Sequence, residues 1–69
     1  MSVVKVIELI GCSPISWEEA VKVALAQAAK TIKNIKSVYV KAVSANVENN
    51  NIVEYKTIVK ISFVVDQSL

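Results

Sequence analysis

Ser16-Trp17-Glu18-Glu19-Ala20-Val21-Lys22-Val23-Ala24-Leu25-Ala26-Gln27-Ala28-Ala29-Lys30-Thr31-Ile32-Lys33-Asn34-Ile35 is the stretch that decides the fold. Trp17, Ala20, Val21, Ala24, Leu25, Ala28, Ile32 and Ile35 recur at steps of three and four, which puts them on one side of an α-helix. Glu18, Glu19, Lys22, Gln27, Lys30, Lys33 and Asn34 fall on the other side and face water. Ser16 with Glu19 three places on is a capping-box pattern, and Ser13-Pro14 is a rival helix start. Glu18 and Glu19 sit at the positive end of the helix dipole, with Lys30, Lys33 and Lys36 at or beyond the negative end. Alanine at 20, 24 and 28 leaves little bulk on the buried stripe, so a sheet can approach closely and curl around it.

The flanks are short and β-like. Val3 to Ile10 reads as a strand ended by Gly11, and Gly11-Cys12-Ser13-Pro14-Ile15 as the turn into the helix. Lys5 and Glu8 interrupt that strand on opposite faces, so alternation alone does not say which face meets the helix. Val38 to Val47 reads as a second strand, with Val38, Val40 and Ala42 on one face and Tyr39, Lys41, Val43 and Ala45 on the other. Glu48-Asn49-Asn50-Asn51 is a turn, because asparagine tolerates left-handed dihedrals. Ile52 to Val65 is the clearest strand, with Val53, Tyr55, Thr57, Val59, Ile61, Phe63 and Val65 on one face, and Asp66 to Leu69 is a tail.

The fold class that follows is α+β, in the order β-α-β-β, as one domain over residues 1–69. The last two strands pair as a hairpin, and the helix returns the chain so that the second strand runs parallel to the first. A fully antiparallel sheet then needs the third strand in the middle, order 1-3-2. Strands one and two become open edges, which invite pairing with other chains.

Composition limits the function. A chain of 69 residues gains little stability from its own core, and its single cysteine rules out an internal disulfide. It has no histidine, hence no Cys/His zinc cluster and no serine–histidine or cysteine–histidine pair. One glycine makes no phosphate-binding loop, so the reading is non-enzymatic. With 54% hydrophobic residues, the remaining way to bury apolar surface is oligomerisation. A net charge of +2, on lysines scattered among acids, does not indicate nucleic acid. No apolar run is long enough to span a membrane, and Met1-Ser2-Val3-Val4-Lys5 lacks a signal-peptide layout. A lone thiol, Cys12, fits a reducing cytoplasm and reads as a small turn residue.

With these pieces in order, the chain resembles the dodecin family over nearly its whole length. Lys5-Val6-Ile7-Glu8-Leu9-Ile10-Gly11-Cys12-Ser13 is similar to the family's opening strand and Gly-Thr-Ser turn, with Cys12 where threonine is usual. Ala24 to Ile32 resembles its helix, and Glu54-Tyr55-Lys56 and Ile61-Ser62-Phe63 its last strand. The resemblance implies a three-stranded antiparallel sheet wrapped around the helix, and a homododecamer closed into a hollow shell.

In flavin-binding members, a tryptophan at the start of the second strand stacks on the isoalloxazine ring. A glutamine on the third strand binds the ring's edge, and in some members a basic residue helps hold ligand phosphates. By position these fall at Ser37, Lys56 and Ser44. Serine supplies no π face, so stacking worth about 0.5–1.5 kcal/mol beyond area burial is lost. A second branch, described as calcium dodecins, also lacks that tryptophan. It resembles this chain through Ile10-Gly11-Cys12-Ser13-Pro14-Ile15-Ser16-Trp17-Glu18.

The resemblance therefore implies a storage or sequestering shell, with calcium ahead of a flavin (FMN, riboflavin or lumichrome). Calcium takes six to eight oxygens. Glu8 and Glu54 are the metal candidates, and without EF-hand spacing a site forms only where subunits meet. The bland alternatives are solvated surface charge for the acids, and subunit contact for Ser37, Tyr39, Lys41, Glu54 and Lys56 on the strand faces away from the helix. Trp17 reads as a core packer. A purely structural assembly without a ligand is the third reading.

Overall fold

Why the helix lies where it does comes down to a missing side chain. In the computed structural model, which describes residues 2–66, a Cβ added to Gly11 would overlap the Ala20 carbonyl oxygen and sit 3.0 Å from the Ala24 Cβ. Glycine facing alanine lets two backbones come almost into contact. Gly11 does not end its strand: β1 runs on through it as Ser2–Ser13. The residue serves close approach rather than a bend. The turn begins later, where the Ser13 hydroxyl accepts a 3.0 Å bond from the Ile15 amide.

Helix α1 spans Trp17–Ala29 and is capped by Ser16, whose Oγ accepts from the Glu19 amide at 3.0 Å. Of the two starts the sequence offers, Ser16 is the one used. The stripe is as expected: Ala20, Ala24 and Ala28 are buried. The helix stops at Ala29, however, short of Ile35. The Thr31 and Ile32 amides both turn back to the Ala28 carbonyl, and Asn34 takes φ 63°. A left-handed residue cannot continue the helix, and β-branched Thr31 and Ile32 do little to extend it. Ile32 and Ile35 still pack on the core, but from the connection and from the next strand. Lys36 likewise belongs to that strand and not to the helix end.

Strand β2 covers Ile35–Glu48 and β3 covers Asn51–Asp66. They are joined by Asn49 and Asn50 at φ 52° and 64°, the two positive dihedrals a tight hairpin requires. Residues 67–69 of the expected tail lie outside the described residues. The sheet is three-stranded and antiparallel in the order β1-β3-β2. Val59 and Ile61, on central β3, are fully buried against Ala24 and Ala28. Register then settles β1: Ile7 opposite Ile61, Leu9 opposite Val59 and Gly11 opposite Thr57 face the helix.

Strand β2 departs from simple alternation. Its register slips between Val40 and Ala42, leaving Lys41 as an extra residue. Val43 and Ala45 therefore join Val38 and Val40 on the helix side, opposite Thr57, Tyr55, Ile61 and Val59. Ala42 moves to the outer face with Tyr39, which corrects the face assignment made from alternation.

The subunit is a slab of 57 × 19 × 12 Å with a radius of gyration of 14.4 Å. A self-contained chain of this length would have a radius of about 11 Å. Among the described residues, no helix is long and apolar enough to cross a membrane.

Candidate functional site

The outer face of the sheet, turned away from α1, carries the ligand and metal candidates Ser37, Ser44, Lys56, Glu8 and Glu54. Cys12, Lys56 and Ser44 lie abreast across β1, β3 and β2. Ser37 lies opposite Ser62, and their hydroxyls share a hydrogen bond. Lys56 and Ser62 are six residues apart on β3, roughly 20 Å at strand rise. One chain therefore brings Ser44 and Lys56 together but not Ser37. A pocket using all three needs a second subunit.

Between those two groups runs a charged row. Glu8 faces Lys60 in the ladder, and Lys60 faces Tyr39. The extra residue Lys41 reaches across to Glu8 at Nζ–Oε1 3.5 Å, with each side chain about half exposed (49% and 47%). A pair this open contributes little to stability. Glu54, near the hairpin, accepts a 3.0 Å bond from Asn46 Nδ2. Glu8 and Glu54 thus stand in separate neighbourhoods, the first beside two lysines. Among the described residues, no three Asp, Glu or Cys side chains converge as a metal site.

The helix side shows a feature that hydrophobic spacing missed. Trp17 is not a core residue; it is 39% exposed. Its indole Nε1–H donates to the Ser44 carbonyl on β2 at 2.7 Å. Its ring meets Tyr55 edge-on, centroids 4.9 Å apart at 80°. The Thr57 hydroxyl, fully buried, donates to the Trp17 carbonyl at 3.1 Å. A cleft of about 430 Å³ opens beside the ring, between the first half of α1 and β2. The only clue in the sequence was that Trp17 immediately follows the cap, where the stripe has no next turn to cover it.

A helix cradled by a three-stranded antiparallel sheet in the order β1-β3-β2, with long unpaired borders, is the architecture of small self-assembling β-α-β-β proteins. The dodecin family model matches residues 3–66, and the chain belongs to the dodecin family. It is 35% identical over 63 residues to the calcium dodecin of Mycobacterium tuberculosis, covering 91% of this chain and 89% of that protein. A crystal structure from the same organism is described as a calcium chelating immunodominant antigen, calcium dodecin, with a novel calcium-binding site. It superposes with TM-score 0.84 at 32% identity, over 99% of this chain and 97% of that one. A variant of the Thermus thermophilus dodecin superposes at TM-score 0.93 with 28% identity, over 97% of this chain and 100% of that one.

Proposed function

We propose that this chain closes into a homododecameric shell that binds and sequesters a small cation, calcium ahead of a flavin, without catalysing a reaction. The observation that carries the choice of ligand is the 35% identity to a calcium dodecin across nine-tenths of the chain. The outer face supports it by what stands at Ser37: a hydroxyl bonded to Ser62 in place of a ring on which a flavin could stack. A single subunit holds Glu8 and Glu54 apart, so the oxygens that calcium needs come from acids brought together at symmetry axes.

Thermal melts of the assembled protein in calcium and in chelator test this. Binding at a hundredfold over Kd stabilises by about 2.7 kcal/mol per site, so the melting temperature rises with calcium and falls back with chelator. Glu8→Gln and Glu54→Gln are the variants to compare, with loss of the calcium response expected in at least one. An intact shell indifferent to calcium contradicts the proposal. If that shell is also colourless and indifferent to flavin, the purely structural reading is left.

A further inference from the structure

We propose that the cleft between α1 and β2 is the seat of a second copy of this chain, so that Trp17 is an interface residue in the assembly. The proposal rests on the reading of the chain as a self-assembling subunit, and it names a surface that the assembly covers. The walls are Trp17, Val21, Val40 and Val43, with Thr57 at the floor and Glu18 and Lys22 at the rim. In the lone subunit Trp17, Val40 and Val43 are all exposed.

Three observations favour a copy of the chain over a small molecule. The first is area. The subunit exposes 5084 Å² for a mass of 7.5 kDa, whereas a self-contained chain of that mass exposes roughly 4,200 Å². The excess, roughly 800 Å², is what one partner buries in a standard stable interface. The second is polarity. A small-molecule site uses a few free polar groups to orient its occupant. Here the indole N–H already donates to the Ser44 carbonyl, and the Thr57 hydroxyl to the Trp17 carbonyl. Apolar walls ringed by the exposed charges of Glu18 and Lys22 are instead the anatomy of an interface, with a dry centre and a hydrated rim. Trp17, held by the Ser44 carbonyl and by Tyr55, is a pre-oriented anchor of the kind that dominates such centres. The third is continuity. The cleft opens beside β2, an unpaired border of the sheet. The register slip between Val40 and Ala42 interrupts that border at the cleft, which disfavours the addition of a further strand there. A copy arriving at this border packs side chains into the cleft instead.

The test uses the full-length protein, its assembly followed by native mass spectrometry, and acrylamide quenching of Trp17, whose emission is unambiguous because the chain has one tryptophan. Expected is quenching at least fivefold weaker in the assembly than in the chain unfolded in urea. Val43→Lys places a charge in the covered centre and leaves the lone subunit's fold in place, because Val43 is exposed there. The concentration at which half the assembly dissociates should rise at least tenfold in that variant. If Val43→Lys is insoluble, quenching in the unsubstituted protein decides. An intact assembly in which Trp17 is protected less than fivefold overturns this contact and leaves the shell standing, as does a Val43→Lys assembly that dissociates at the original concentration. A chain that stays monomeric overturns both.

Discussion

At Gly11 the fold depends on one absent methyl. The sequence shows that the residue has no Cβ but not which neighbour uses the space, so the position read as a bend when it is a point of contact with Ala20 and Ala24. Gly11→Ala must push back a helix backbone, not a yielding side chain. Overpacking of this kind costs about 1–3 kcal/mol, and denaturant melts should show a loss of at least that size. A neutral result would mean that the helix does not rest on β1 at that point. Trp17 was hidden for a similar reason. An aromatic residue in phase with a buried stripe looks like core, and its bond to a carbonyl 27 residues away leaves no trace in periodicity. Ser37, Lys56, Ser44, Glu8 and Glu54 all lie on the face turned away from the helix; which of them shares a pocket depends on copies of the chain, beyond what one sequence lays out.

Elements were legible where local chemistry dominates. The alanine stripe, the serine cap and the paired asparagines of the hairpin each act within a few residues, and the structure uses them as they read. Ser16→Ala removes the hydroxyl that holds the Glu19 amide and should cost about 1 kcal/mol, measurable as a lower denaturation midpoint at unchanged slope. Boundaries and faces were less legible. The helix ends at Ala29, and by Asn34, at φ 63°, the chain has turned so that Ile35 pairs opposite Phe63 in β2. The bulge at Lys41 exists because β2 must present valines to the helix side on both halves of its length. Deleting Lys41 removes the extra residue while Val40 still pairs opposite Val59, Ala42 opposite Ile58 and Val43 opposite Thr57, so both halves of β2 keep their faces. The deletion should still give soluble, assembled protein by gel filtration; loss of assembly would show that the bulge itself is required.

The whole molecule is a subunit without an adequate interior of its own. Among the described residues, five hydrophobic ones are buried, while Val3, Val4, Val6, Ile10, Tyr39, Val40, Val43, Val47 and Ile52 are each more than two-fifths exposed. The slab is too extended for its length, and β1 and β2 are both borders of the sheet. Strand order followed from the sequence because a helix crossover and a hairpin leave one antiparallel solution. The partner surfaces did not, since residues that meet another copy look the same as residues that meet water. The assembly is therefore expected to be the folding unit. Native mass spectrometry of the freshly purified chain at micromolar concentration tests this most directly. Twelve subunits in one species, with no folded monomer on dilution, is the predicted result; a stable, soluble, folded monomer contradicts it.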